Sequence, residues 1–212
     1  MAASGQGQGP GPVSARTRLP PGQAAARNWP VVHYGPVPKF KPATWDFQVF
    51  GATASGEVRR LDHEEFFALP RSVVCADMHC VTKFSVRDVT WSGIPAAAVL
   101  AAAPPAPDVR HVMVFAEYGY SANIRIGDFA AGQTIFATRR GGEPLTPETG
   151  FPVRLVVPHL YAWKGPKWVR GVEYLTSDRR GFWEERGYHN VGDAWRAQRY
   201  AYQEAPGDGP EF

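Results

Sequence analysis

Apolar positions along the middle of the chain keep two rhythms. Trp45, Phe47 and Val49 alternate with Asp46 and Gln48, which predicts a half-buried strand that ends at Gly51 and turns through Ser55 and Gly56. Asp62 followed three residues later by Glu65 has the spacing of a capping box, and Pro70 forces the helix it opens to be short. Residues 72–81 have strand character. Pro95 can start an alanine-rich helix that stops at Pro104-Pro105. Residues 109–116, 152–157 and 168–175 predict further strands. Short helices among strands, without the regular spacing of strand–helix–strand crossovers, give an α+β class rather than a doubly wound sheet.

Composition supports that class. The chain has 212 residues, of which 44% are hydrophobic and 13% aromatic; mean hydropathy is −0.30, and no apolar run approaches a membrane span. Folding a chain of this size buries about 70% of its unfolded surface, enough for one sizeable core. With 22 Gly and 20 Pro a loop-rich, strand-rich domain is favoured. A net charge of +3 is too mild for a nucleic-acid partner but suits an anionic ligand held locally. Two cysteines exclude a disulfide framework and a four-cysteine zinc site. Residues 1–27 hold three arginines, no acid and no aromatic, and show neither a Sec nor a twin-arginine signal. They are expected to be a disordered tail of a cytoplasmic protein. One domain is expected over 28–204, with a flexible second tail at 205–212.

The densest chemistry lies between Val74 and Ser85. On a regular strand Val74, Ala76, Met78 and Cys80 share one face, and Cys75, Asp77 and His79 the other, so the two thiols point apart. Cys80 stands where the apolar run gives way to Thr82, Lys83 and Ser85, a usual place for a ligand or nucleophile. A lone Cys there could be a nucleophile activated by His79, His33 or His159, or the single protein thiolate on a soft metal whose other ligands come from a cofactor. The structural alternative is a pair of buried cysteines acting as small hydrophobes, which suits Cys75 well.

The run from Asp77 through Cys80 to Ser85, followed by Trp91-Ser92-Gly93-Ile94, resembles the signature of the molybdopterin-binding domain of the sulfite oxidase superfamily. A second block, Gly150 to Pro158 continuing through Tyr161 to Lys167, is similar too. The closing stretch from Gly181 to Asn190 is similar to the short bacterial members. The resemblance spans roughly Trp29 to Tyr200 in the family's order. It implies a mixed, sheet-rich fold with short helices, a molybdenum–molybdopterin cofactor and an enzyme that transfers oxygen atoms. Cys80 then corresponds to the molybdenum ligand, and Arg154, Gly165, Pro166 and Lys167 to pterin-contacting positions. Glu117 and Thr149 fall at further contact positions with residue types that differ from some relatives. His33 and Tyr34 sit in a segment, 32–38, similar to the loop that borders the family's pocket.

The residues make physical sense of that implication. Lys164-Gly165-Pro166-Lys167 offers two ammonium groups around a glycine that allows close approach of an anionic ligand, and Arg154 adds a planar fork. From Lys164 to Arg199 eight cations face five acids with tryptophans between them, a pattern that also permits single-stranded nucleic acid; the excess is too small to favour it. Enzymes of the superfamily that oxidise sulfite carry an Arg near the position of Val32 or His33, so a different small oxo-type substrate is expected. His33, Tyr34, Tyr120 and His159 are the candidates for orienting it or moving protons. Without haem or flavin motifs, electrons need a separate donor or acceptor. Two alternatives remain beside this reading: a hydrolase with Cys80 as nucleophile, and a pterin-binding protein without turnover.

Overall fold

The computed structural model describes residues 18–210. Its first strand, β1 (Ala24–Ala25), is a two-residue piece; the alternating Trp45 segment becomes β2 (Asp46–Gly51), followed by β3 (Arg59–Asp62). The capping box is formed: Asp62 Oδ1 accepts the Glu65 N–H at 2.8 Å, Glu65 Oε2 accepts the Asp62 N–H at 3.0 Å, and α1 (His63–Phe67) follows. Next come β4 (Ser72–His79), β5 (Phe84–Pro95) and α2 (Ala96–Ala102), the last opened by Pro95. After them run β6 (His111–Ala116), β7 (Ser121–Arg125), α3 (Ile126–Phe129), β8 (Ile135–Arg140), β9 (Glu143–Pro144), β10 (Arg154–Val156) and β11 (Val169–Leu175). Brief helices set between longer strands make the α+β class. No helix among the described residues is long and apolar enough to cross a membrane.

The strands form two sheets. One runs β1-β5-β8-β10, with β4 also on β5 and β9 on β8; the other runs β3-β2-β11-β6-β7. Phe47, Val49, Val114 and Val172 of the second sheet pack with Ile94, Phe136 and Leu155 of the first in the main core. Phe66 of α1 closes that core, 4.6 Å from Phe47 and 5.3 Å from Trp45 between ring centroids. On the other face of the first sheet Met78, Trp91, Ile135 and Val156 build a second cluster. Because neighbours along a strand point to opposite faces, Leu155 enters the main core while Arg154 and Val156 project to this second face.

Several expectations change. Strand β4 stops at His79, because the Cys80 N–H bonds Phe84 O at 2.8 Å and Cys80 O accepts the Lys83 N–H at 3.1 Å, closing a tight turn. The long strand β5 escapes the apolar rhythm, since its register against β4 shifts between Ala76 and Met78 and against β8 between Ser92 and Gly93. Residues 1–17 of the expected first tail lie outside the described residues, but the rest of it is built into the fold. The N–H groups of Ala24 and Ala26 bond Lys83 O and Ser85 O at 3.0 and 2.8 Å. In the expected second tail, Asp208 is buried, accepts the Ala205 N–H at 3.0 Å and meets Arg125 at 3.4 Å; residues 211–212 lie outside the described residues. Cys75 is exposed rather than buried, since its strand face looks away from the second cluster.

Replacing Phe66, which is fully buried, with Ala is expected to lower stability by about 3–5 kcal/mol through lost transfer energy and a residual cavity; urea unfolding followed by tryptophan fluorescence measures it.

Candidate cofactor site

Cys80 is held by its backbone more than by its neighbours in sequence. In the turn that ends β4, Lys83 takes φ of 73°, a left-handed conformation that brings the chain back to pair as β5. Gln23, from the segment before β1, donates to Cys80 O at 3.0 Å and accepts from Ser85 Oγ at 3.2 Å. Ser85 has given its only proton to Gln23, so the 2.8 Å contact with His79 Nδ1 assigns that nitrogen as the donor. Burial holds the His79 pKa below its usual value, with Asp77 opposing. The Cys80 thiol itself lies 3.1 Å from Thr82 Oγ1 and faces a cavity of about 420 Å³.

Two cations, Arg154 and Lys167, line the same cavity. An isolated bridge between Arg154 and Lys167 sets the two residues side by side. Gly150 makes this possible: at its φ of 116° a Cβ would stand 2.9 Å from Arg154 Cβ and 3.3 Å from Lys167 Cβ. The Arg154 guanidinium, 4% exposed, lies 5.5 Å from the Trp91 ring centroid and donates to Thr149 O at 3.3 Å, while its buried Nε has no partner. Lys167 donates to Val32 O and Glu148 O, both at 2.7 Å. Neither cation has an ion-pair partner among the described residues. Burial pulls the Arg154 pKa down to about 10. Burial, together with Arg154, pulls Lys167 down to about 7. Two adjacent, desolvated cations and an unused donor make a socket for an anion.

Of the residues expected in the site, Cys80, Arg154, Gly165, Pro166 and Lys167 line this cavity, as do His33, Tyr34, Glu117 and Tyr120. Their roles differ in detail. His33 Nδ1 faces Gly35 O at 3.0 Å. The Glu117 carboxylate is engaged by Arg170 at 2.8 Å. Tyr120 donates to Trp163 O at 2.6 Å, and burial and Glu184 hold its phenol well above the usual range, so it presents a ring rather than a mobile proton. Gly165 is required by the fold: a Cβ there would sit 2.5 Å from Leu155 O.

Three expectations are corrected. Lys164 is absent from the cavity wall. It is 1% exposed, pairs with Glu184 at 2.6 Å and donates to Asn123 O and Oδ1 at 2.7 Å, because the turn at Gly165 sends the two lysines of the motif to opposite sides. Thr149 is buried in its own turn, bonded to Thr146, and offers only its carbonyl to Arg154. His159 belongs to a separate cavity of about 290 Å³ with Cys75, Asp77 and His79; its Nε2 meets Asp128 at 2.8 Å, and that bond raises its pKa.

The structure also adds residues. Trp163, Trp183 and Tyr188 wall the cavity, with Trp163 5.0 Å and Trp183 5.1 Å from Tyr188 between centroids. Trp163 Nε1 is fixed by Glu184 Oε1 at 3.2 Å. Burial, the neighbouring Tyr200 and the charge of Cys80 all raise the Tyr188 phenol, which sets it on the thiol side. The sequence signal for these walls was the aromatic interleaving from Trp163 onward, legible as packing but not as a pocket.

Comparison with known proteins agrees with this geometry. The profile of the oxidoreductase molybdopterin binding domain matches residues 34–183, and the chain belongs to that family. It is 40% identical over 186 residues to the uncharacterized oxidoreductase YuiH of Bacillus subtilis (strain 168), covering 87% of this chain and 93% of that one. It is 27% identical over 162 residues to MsrP of Gluconobacter oxydans (strain 621H), described as the catalytic subunit of a protein-methionine-sulfoxide reductase. That match covers 68% of this chain and 51% of the relative, so the chain spans about half of MsrP. Among solved structures, the sulfane dehydrogenase SoxCD from Paracoccus pantotrophus superposes with a TM-score of 0.63 at 16% identity, over 76% of this chain and 46% of that chain, which establishes a shared fold. The protein is therefore a molybdopterin-dependent oxidoreductase. Its residues fit the cofactor: the cavity has ligand size, the free Nε of Arg154 and the Lys167 ammonium suit its anionic part, and one thiol faces in.

Arg154→Ala and Lys167→Ala are each expected to lower molybdenum and pterin per purified chain, and Arg154→Lys to restore occupancy only in part, for want of the planar fork. Arg59→Ala, at an exposed surface pair, should leave occupancy unchanged. An anion beside Lys167 raises a pKa that stands near 7 without it, so binding takes up a proton. Cofactor retention on gel filtration should fall as pH rises above about 7, and Lys167→Met should flatten that slope.

Lys164→Met leaves Glu184 buried without its cation. It is expected to cost about 3–5 kcal/mol in urea unfolding, unlike the cradle substitutions, whose first effect is on occupancy.

Proposed function

We propose that this chain reduces a small oxo-type substrate of the sulfoxide kind, with the molybdenum held by the Cys80 thiolate. The observation that carries the reading is the polarity of the cavity. Arg154 and Lys167 line it and suit the anionic part of the cofactor, while Val81, Trp183 and Tyr188 pack together beside the thiol. An aromatic wall favours a neutral oxide carrying apolar groups, whereas an oxyanion such as sulfite would want a fixed cation there. The name of MsrP gives independent support.

When bound, the cofactor supplies the redox couple and the site to which oxygen is transferred. The remaining roles belong to the protein. Arg154 and Lys167 hold the anionic part of the cofactor, and the Cys80 turn, clamped by Gln23, fixes the thiolate. Trp163 and Trp183 exclude water, and Tyr188, whose phenol is raised by burial, holds a proton at the thiol side of the cavity. One oxide, two electrons and two protons together give the deoxygenated product and water. The electrons come from a separate carrier. The hydrolase reading is less well supported: His79 is bonded to Ser85, His159 lies in the other cavity with Asp128, and His33, which does line the cavity, turns its Nδ1 to Gly35 O in its own loop. The cytoplasmic location expected from residues 1–27 belongs to the same proposal, and cell fractionation tests it.

The molybdenum-loaded protein with reduced methyl viologen should consume the dye when given dimethyl sulfoxide or methionine sulfoxide, and should oxidise sulfite far more slowly. Faster sulfite oxidation would overturn the substrate assignment. Cys80→Ser exchanges a soft ligand for a hard one, so the Mo(V) EPR signal and turnover should change sharply; Cys75→Ser should leave both near wild type. The reverse pattern would assign the metal to the other sulfur.

A further inference from the structure

The second cavity, of about 290 Å³, holds a buried imidazole with one nitrogen unused. His79 is 2% exposed, and its Nδ1 is spent on Ser85 Oγ at 2.8 Å. Ser85 is fully buried and takes no part in the lining, so that bond points away from the cavity. The other nitrogen, Nε2, has no hydrogen-bond partner among the described residues, yet it is not sealed from solvent. The ring lines this cavity and not the larger one, so Nε2 looks into it. With the proton on Nδ1, Nε2 is a bare acceptor. A buried acceptor of this kind calls for a donor.

The neighbouring groups say which donor. Asp77, half-buried in the lining, accepts the Asp88 N–H at 2.8 Å through Oδ1, and its charge is felt at the His79 ring. Asp88 also lines the cavity and meets Arg87 at 3.9 Å. Two further lining groups can carry positive charge. Arg18 is exposed, and His159 is held by Asp128 at 2.8 Å with Asp193 adding negative charge. Asp193 Oδ1 also accepts the Trp195 N–H at 2.8 Å, in the turn that sets the Trp195 indole 5.9 Å from the His79 ring centroid. That indole lines the cavity and is 43% exposed. A carboxylate beside an open aromatic ring suits an organic cation. A primary ammonium satisfies Asp77, Trp195 and Nε2 together, whereas a quaternary one leaves Nε2 unpaired and an anion meets Asp77. We propose that the second cavity binds a small primary organic ammonium ion, which donates to His79 Nε2 and pairs with Asp77 beside Trp195. The site has a route to the Cys80 turn. Donors run one way along it: His79 Nδ1–H to Ser85 Oγ, Ser85 O–H to Gln23 Oε1 at 3.2 Å, and the Gln23 amide to Cys80 O at 3.0 Å. An ammonium on Nε2 keeps the His79 proton on Nδ1, and each later donor then strengthens the next. Occupancy of the second cavity thereby tightens the turn that carries the thiol.

The test uses the full chain purified with its cofactor, and n-butylammonium as the probe. Calorimetry should show binding, and in nitrogen NMR of the imidazoles the His79 Nε2 signal should move as it accepts a hydrogen bond. Asp77→Asn keeps an oxygen for the Asp88 N–H but loses the charge, and should weaken binding about tenfold. Trp195→Leu should weaken it about threefold. Glu143→Gln, at an exposed position outside the cavity, should leave it unchanged. Tetramethylammonium, which has no N–H, should bind about fivefold more weakly or worse, and butyrate should not bind. Hydrogen exchange of the Lys83 N–H, bonded to Cys80 O at 3.1 Å, should slow when the probe binds. That slowing should vanish in Gln23→Ala, which still binds the probe. Absence of binding, a stationary Nε2 signal, or equal losses in Asp77→Asn and Glu143→Gln would overturn the site. Tighter binding of tetramethylammonium or butyrate would overturn the ligand class. Slowing that persists in Gln23→Ala would overturn the route to Cys80. None of these outcomes depends on the substrate assigned to the larger cavity.

Discussion

Arg154 and Lys167 stand side by side in a desolvated pocket, and without an anion each opposes the other's charge. Burial alone disfavours both, and their proximity adds repulsion. The fold keeps them there by means that owe little to the two side chains. The β8–β10 register places Arg154 opposite Ala137, the bridge to Lys167 fixes the second cation, and Gly150 leaves the room both need. The apolar clusters on both faces of the first sheet supply the stability that such a socket consumes. A cradle of this kind is electrostatically incomplete until an anion enters it.

The neighbouring Lys164 shows the opposite solution. It lies more deeply buried than Lys167 but is matched inside the protein by Glu184 and Asn123. That network also fixes Trp163 through its indole N–H, and Tyr120 bonds the Trp163 carbonyl. Internal pairing thus positions the aromatic wall, while unpaired charge is left for the ligand. Two lysines three residues apart serve two purposes because Gly165 packs directly against the Leu155 carbonyl and turns the chain between them.

The thiol end depends on contacts distant in sequence. Gln23 reaches Cys80 and Ser85 from the segment before β1, and Arg199 holds that segment through Pro21 O at 2.9 Å. Rigidity of the Cys80 turn therefore comes from both ends of the chain. Cations and aromatic rings both line the cavity. On the proposed reading the cations suit the cofactor and the aromatic rings admit a neutral oxide.

Periodicity and local chemistry by themselves determined much of this protein. The alternation at Trp45, the capping box at Asp62 and Glu65, and the prolines around α2 are local signals, because their causes lie within a few residues. The opposed faces of Cys75 and Cys80 follow from the period of a strand, and the ordered motifs around Cys80 and Arg154 carried the family resemblance. Tertiary structure alone decided the rest. Strand β5 hid behind register shifts that only its partners define, and Cys75 proved exposed because its strand face looks away from the second cluster. Lys164 and His159 looked like site residues until distant acids, Glu184 and Asp128, claimed them. Tyr188 joined the site through the packing of loops far apart in the chain. A charge's role depends on what desolvates and pairs it, and those partners are brought together only by the folded chain.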